Sequence, residues 1–138
     1  MRDPLASLLS EYNRQAGGHT GHAQDMAGLN SFVTKKLTNW RKLNLDWLEK
    51  SNPDRLLVIS YFQLRTDLRS QLLRMTAFLN LTVTEEVLDC TMEAKEGVFR
   101  RKKIDQNVMV SQHNLQLLSQ YKTEVVTAAT KIYKNFVL

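Results

Sequence analysis

The spacing of apolar residues along the chain predicts helices over most of its length. Two long helices, at about 30–49 and 111–136, carry apolar residues at steps of three and four, which places those residues on one side of each helix. Shorter stretches at about 4–14, at 66–79 and from 85 onward follow the same spacing. Asp3 suits the cap position of the first helix and Thr84 that of the fourth, so we expect about five helices.

One segment departs from the helical pattern. Residues 55–61, Arg-Leu-Leu-Val-Ile-Ser-Tyr, are short, apolar and rich in β-favouring side chains, and a turn at 51–54 precedes them. Such a run predicts a buried strand. A buried strand between helices is typical of a parallel sheet, which needs partner strands for its backbone groups. Since no other strand is visible, the pattern predicts the C-terminal portion of an α/β domain, mostly helical, whose first strands are missing.

Composition narrows the class of partner without choosing one. The 138 residues include 19 Lys or Arg and 14 Asp or Glu, a formal net charge of +5. This balance favours polyanions such as nucleotides, nucleic acid, sulfated sugars or anionic membranes. No run approaches the ~20 apolar residues of a membrane span, and the start does not resemble a signal peptide.

Single residues with distinctive chemistry are few. Cys90 is the one cysteine, which excludes an internal disulfide, and we expect a buried thiol there. Trp40 and Trp47 are expected in the core. His19 and His22 form a His-x-x-His pair in a glycine-rich loop, but no third ligand at a recognisable metal spacing lies nearby. We therefore expect no metal, and no catalytic residue is assigned.

Three groups of residues have the chemistry to bind an anion. Arg2 precedes a helix N-terminus, and Ser10 follows about two helical turns later, so a guanidinium and a hydroxyl can face one phosphate. Phe99 stands before a run of four cations at 100–103, which would gain from a polyanion. Tyr61 ends the predicted strand, where ligands gather in parallel sheets. The ordinary alternatives are a capped helix with a solvated arginine, a solvated basic loop and a packing tyrosine.

Taken in order, these segments resemble the sulfotransferases that use 3′-phosphoadenylyl sulfate. The stretch 2–12, Arg-Asp-Pro-Leu-Ala-Ser-Leu-Leu-Ser-Glu-Tyr, is similar to the family's 3′-phosphate-binding segment. The stretch 57–64 is similar to the segment that leads to a "Tyr-Glu-Asp-Leu" strand end, and 78–81 contains the "Phe-Leu" that closes the following helix. The stretch 96–101 looks like the late basic loop. The stretch 13–23 is most similar to the WSC-domain-containing sulfotransferases, Golgi proteins of animals.

The resemblance implies a cofactor-binding role for several side chains. Arg2 and Ser10 would hold the 3′-phosphate, and Tyr61 would lie against the adenine side. The residues of the late loop that would close over the nucleotide are Phe99, Arg100, Arg101 and Lys102. This sequence departs from the family pattern at 62–63, where Phe-Gln replaces the acidic residues that commonly follow the tyrosine, and at Lys103, where many cytosolic relatives have glycine.

The resemblance also implies what the whole protein does. We expect residues 1–138 to be a partial sulfotransferase domain that lacks its N-terminal strands and its 5′-phosphosulfate loop and is inactive alone. The full protein would transfer a sulfuryl group from 3′-phosphoadenylyl sulfate to a hydroxyl of a glycan or glycoprotein, without metal or nucleic acid. It would be lumenal in the Golgi, with membrane attachment through a segment absent from this chain. The alternative is a small basic helical module that binds nucleic acid or other anionic partners without catalysis.

Overall fold

The computed structural model describes residues 1–96, 108–134 and 136–138. A 3-10 helix spans Pro53–Arg55. The α-helices formed by the described residues are α1 Pro4–Gly17, α2 Leu29–Lys50, α3 Tyr61–Thr66, α4 Leu68–Phe78, α5 Glu85–Glu93 and α6 Gln112–Ile132. The expectation of a mostly helical chain is therefore confirmed over this part of the sequence. None of these helices has both the length and the apolar character needed to cross a membrane.

Side-chain caps start several of these helices at the predicted residues. The Asp3 carboxylate accepts a hydrogen bond from the Ala6 backbone N–H at 3.2 Å, and this caps α1. Thr84 caps α5 through the Val87 N–H at 3.4 Å. A cap satisfies a backbone donor that the helix itself leaves unpaired. The predictions for Asp3 and Thr84 are thus confirmed.

The core lies where α1, α2 and α6 pack together. The buried apolar side chains of one cluster are Leu8, Leu29, Val33, Leu37 and Leu118. Those of a second cluster, towards the other end of α2, are Leu48, Val58, Val125, Ala129 and Phe136. Burying a side chain of leucine or valine size contributes about 1.5–3 kcal/mol, so these clusters supply the main force that holds the three helices together.

A buried amide adds polar contacts between α2 and α6. Asn114 is 1% exposed. Its Nδ2 donates to the Asn30 carbonyl at 3.0 Å, and its Oδ1 accepts from the Thr34 hydroxyl at 2.9 Å. A buried amide left without such partners would cost about 1–3 kcal/mol. The contacts therefore fix how α6 is placed along α2.

The prediction of a sheet strand at 55–61 is wrong. Residues 56–60 form neither a helix nor a strand; a 3-10 helix precedes them and α3 begins at Tyr61. Met1 lies beside them: its nitrogen donates to the Ile59 carbonyl, and its carbonyl accepts from the Tyr61 N–H at 2.7 Å, while the Ser60 carbonyl accepts from the Leu64 N–H of α3 at 2.8 Å. Bonds on either side of Ser60 have the pattern of parallel neighbouring strands. One residue pair, however, does not make a ladder.

A tyrosine side chain supplies further hydrogen-bond partners for the segment 56–60. The Val58 N–H donates to the Tyr133 hydroxyl oxygen at 3.3 Å, and that hydroxyl donates to the Leu56 carbonyl. Tyr133 is free to reach this segment because α6 ends at Ile132, earlier than the predicted residue 136. The end of α6 therefore anchors the segment that leads into α3.

The helix predicted at 66–79 corresponds to α4, and the short helix α3 that precedes it was not predicted. Asp67 separates them with a non-helical backbone (φ −143°, ψ 65°), and its carboxylate caps α4 through the Ser70 N–H at 3.4 Å. Phe78 and Leu79 continue the apolar spacing of the predicted helix, but they are 40% and 61% exposed.

Two further expectations about burial are wrong. Trp47 is 58% exposed, whereas Trp40 is half-buried and packs against both core clusters. Cys90 is exposed rather than a buried thiol. Helical spacing gives the side of a helix on which a residue stands, but which helix covers that side depends on tertiary packing.

Candidate functional site

A cleft of about 490 Å³ opens between the start of α1 and helix α3. We call it the α1/α3 cleft. Its lining residues are Arg2, Asp3, Ala6, Tyr61, Phe62, Arg65, Thr66 and Leu138. The volume falls within the range of small-molecule sites, about 300–1,000 Å³.

Arg2 and Tyr61 meet in this cleft because the residues before them are paired. The hydrogen bonds of Met1 flank Ser60, so the next residue of each segment emerges at the same place. The Cζ atom of Arg2 lies 4.8 Å from the centroid of the Tyr61 ring, a distance at which a guanidinium is attracted to an aromatic face. The arrangement offers a cation and an aromatic surface side by side.

The charge of Asp3, which also lines the cleft, is already compensated. Its Oδ2 accepts a hydrogen bond from the Lys122 ammonium at 2.8 Å, while its Oδ1 accepts from the Ala6 N–H. Partial burial raises the pKa of Asp3, but these bonds and the charge of Lys122 outweigh it, so the pKa lies below its ordinary value. Asp3 is thus ionised at neutral pH and forms an ion pair with Lys122 of α6.

The same carboxylate changes how an anion could be held at α1. Free N–H groups at a helix N-terminus ordinarily attract phosphate, but here the Ala6 N–H is taken by Asp3. An anion in the cleft must therefore depend on side-chain cations. Arg2 and Arg65 line the cleft, and neither has a carboxylate within ion-pair distance among the residues described. The cleft is consequently cationic with an aromatic wall.

The structure brings together some of the predicted site residues and separates others. Arg2 and Tyr61 line one cleft. Ser10 is half-buried on α1, one helical turn beyond Ala6, and does not line the cleft. The remaining candidates, which lie outside the described residues, are Phe99, Arg100, Arg101 and Lys102. The cofactor-binding roles of all these residues stay predictions.

Sequence reasoning missed Arg65, a second cation in the cleft lining. It stands four residues after Tyr61, and residues at that spacing are neighbours on one side of a helix. The signal for this helix was present, because Ser60 and Gln63 form the Ser-x-x-Gln pattern of a capping box. The Gln63 N–H does donate to the Ser60 hydroxyl oxygen at 3.3 Å. Assigning Tyr61 to a strand end hid this relation.

Among the described residues, the histidine pair belongs to no recognisable metal centre. His19 is exposed and His22 is half-buried in the loop after α1. Within the described parts of the chain, no three His, Cys, Asp or Glu side chains are grouped as metal ligands.

Comparison with known proteins gives the family. The family model "Sulfotransferase domain" matches residues 1–122. The chain therefore belongs to the sulfotransferase domain family. This match confirms the resemblance found in the sequence. The strand predicted at 55–61 is the part of the fold prediction that is wrong.

Relatives within that family carry the WSCD name. A WSCD family member of Aedes aegypti is 37% identical over 110 residues, which cover 75% of this chain and 34% of the relative. WSCD family members of Drosophila melanogaster and Drosophila pseudoobscura pseudoobscura are 33% and 34% identical with the same coverage. The chain thus spans about a third of the length of the curated relatives it matches. No solved structure matches it.

Proposed function

We propose that this chain forms the part of a sulfotransferase that holds the 3′-phosphate and the adenine of 3′-phosphoadenylyl sulfate. The observation that carries the proposal is the position of the Arg2 guanidinium, 4.8 Å from the centre of the Tyr61 ring in the α1/α3 cleft. A guanidinium binds phosphate oxygens through paired N–H donors. The exposed face of a tyrosine can stack on a flat base. One cleft therefore offers both halves of the recognition that an adenosine phosphate needs.

The surroundings of Arg2 suit this role. Asp3 follows it directly, but its carboxylate pairs with the Lys122 ammonium, so the Arg2 guanidinium remains available to a ligand. Tyr61 is 39% exposed, which leaves part of its ring accessible beside the guanidinium. The donor set thus fits a phosphorylated nucleotide without displacement of an internal ion pair.

In the intact enzyme, the oxygen of an acceptor hydroxyl attacks the sulfur of the donor. The bond between sulfur and the phosphate oxygen breaks, the hydroxyl proton passes to a base, and 3′-phosphoadenosine 5′-phosphate leaves. The described residues contribute binding and orientation to this reaction, which lower its barrier by fixing the reacting groups. No catalytic side chain is assigned among them.

The acceptor and the compartment are part of the same proposal. We take the acceptor to be a glycan hydroxyl and the compartment to be the Golgi lumen, with the membrane reached through another part of the protein. The support is the resemblance of residues 13–23 to the WSC-domain sulfotransferases, together with the WSCD relatives.

Calorimetric titration with 3′-phosphoadenosine 5′-phosphate tests the proposal on the purified protein in its natural length. Arg2→Ala should weaken binding by about tenfold or more, since hydrogen bonds to charged groups contribute about 1.5–3 kcal/mol. Arg14→Ala removes the same charge at the far end of α1, where Arg14 pairs with Glu11, and should leave the affinity unchanged.

Two results would contradict the proposal. One is equal affinity of the Arg2→Ala variant and the unaltered protein for the bisphosphate. The other is binding to generic DNA or RNA with a steep salt dependence and without competition from the bisphosphate. The second result would favour a small basic module that binds nucleic acid.

A further inference from the structure

We infer that Arg65 is a second phosphate-binding residue of the α1/α3 cleft, and that Arg2 and Arg65 together recognise the 3′-phosphate of the nucleotide. This inference rests on the proposed function and adds to it a specificity-determining residue. It concerns the step at which an adenosine bisphosphate is distinguished from an adenosine monophosphate.

The first argument is position. Tyr61 and Arg65 lie one turn apart on α3, and both line the cleft. Arg2 reaches the same cleft from the α1 side and contacts the Tyr61 ring. The aromatic side chain therefore has a cation from α1 on its face and a cation from its own helix one turn away. A phosphate beside the ring would meet guanidinium groups from both walls.

The second argument is charge. Three other described arginines hold a carboxylate: Arg14 pairs with Glu11, Arg41 with Glu124 and Arg69 with Glu85. No such pair is formed by the two cleft arginines within the described residues. Two like charges in one cleft repel each other, and a phosphate dianion between them removes that cost.

The third argument is the supply of donors. Asp3 already occupies the Ala6 N–H at the start of α1. The Thr66 hydroxyl, also in the lining, donates to the Phe62 carbonyl at 3.0 Å. The cations of the described lining are Arg2 and Arg65. A 3′-phosphate has three terminal oxygens, more than one forked guanidinium satisfies, so a second arginine completes its coordination.

The test compares two nucleotides that differ by one phosphate, titrated into the natural-length protein. For Arg65→Ala, affinity for 3′-phosphoadenosine 5′-phosphate should fall by about tenfold or more. Affinity for adenosine 5′-phosphate, which lacks the 3′-phosphate, should change by less than about twofold. Arg65→Lys should recover part of the loss, since lysine keeps the charge but not the forked pair of donors.

The matched control is Arg69→Ala. Arg69 lies four residues further along the chain, in α4, and its guanidinium pairs with Glu85, so its removal changes the net charge equally without altering the cleft lining. Both nucleotides should bind this variant as they bind the unaltered protein. Arg65 is exposed on a helix surface, and alanine favours a helix, so circular dichroism should show the Arg65→Ala variant folded.

Each other outcome overturns the inference in a distinguishable way. If Arg2→Ala weakens bisphosphate binding and Arg65→Ala does not, Arg65 is no phosphate ligand and the proposed function stands. If Arg65→Ala weakens binding of both nucleotides equally, Arg65 does not read the 3′-phosphate. If neither arginine matters for the bisphosphate, the inference and the proposed function fail together.

Discussion

Asp3 holds the start of α1 by two contacts, and substitution can separate them. Its Oδ1 caps the helix at the Ala6 N–H, 3.2 Å away, and its Oδ2 accepts from the Lys122 ammonium on α6 at 2.8 Å. Asparagine keeps an oxygen in the cap position but carries no charge. Alanine keeps neither contact. The loss of stability in Asp3→Asn therefore measures the ion pair, and the further loss in Asp3→Ala measures the cap.

The structure sets the size of each effect. Removing a good cap costs about 1 kcal/mol, within a range of about 0.5–2. The side chains of Asp3 and Lys122 are 37% and 41% exposed, so solvent weakens their attraction and the pair contributes about 0–1 kcal/mol. We expect Asp3→Asn to lower the free energy of unfolding by less than 1 kcal/mol, and Asp3→Ala to lower it by about 1–2 kcal/mol.

The effect of Asp3→Asn should depend on pH. The pKa of Asp3 is lowered in the folded protein from its value of 3.8, so its ionised form stabilises the fold. That contribution is complete above the unfolded-state pKa and is lost as the pH falls through the lower folded-state pKa. The difference between the unaltered protein and Asp3→Asn should thus be constant from pH 7 to about 5 and shrink below about 4.

Urea unfolding of the natural-length protein at several pH values provides the measurement. Amide hydrogen exchange at Ser7, whose N–H donates to the Asp3 carbonyl at 2.9 Å, reports the first turn of α1 directly. Asp3→Ala should speed this exchange more than Asp3→Asn does. The reasoning is refuted if the two variants lose equal stability at pH 7, or if the loss for Asp3→Asn stays the same at pH 3.

Two further predictions concern the core and the segment that leads into the cleft. Leu37 is fully buried, whereas Leu43 on the same helix is 60% exposed. In chemical unfolding, Leu37→Ala should therefore lower the free energy of unfolding by about 2–5 kcal/mol, and Leu43→Ala by less than about 0.5 kcal/mol. Equal losses would contradict the packing described. Tyr133→Phe removes the hydroxyl that bonds the Leu56 carbonyl and the Val58 N–H. This should lower the free energy of unfolding by about 1 kcal/mol and speed hydrogen exchange at Val58. Unchanged protection of that amide would show that the hydroxyl does not hold the segment.

Every described α-helix except α3 was predicted, because the signals of these helices are local. A cap such as Asp3 or Thr84 and a spacing of three and four are both contained within a few turns of chain. A strand is different, because whether an apolar run such as 56–60 joins a ladder depends on partners remote in sequence. Burial has the same remote origin, which is why Trp47 and Cys90 were misjudged.

The site was predictable only in part, for related reasons. The spacing of Arg2 from a helix start suggested an anion site, and the resemblance linked it to Tyr61 across nearly sixty residues. Nothing local predicts that those two side chains meet. Arg65 was missed although its spacing from Tyr61 is local, since the spacing has meaning only once the segment is recognised as a helix.

The pairing of Met1 with Ser60 has a consequence for how the cleft can change over time. Backbone hydrogen bonds join the two walls where Arg2 and Tyr61 emerge. The walls are thus ordered when the chain folds, and a ligand need not order them again on binding. Because such bonds depend little on which side chains follow them, substitutions of the lining residues can change the charge and polarity of the cleft while its shape persists. Selection can therefore act on the lining residues one at a time.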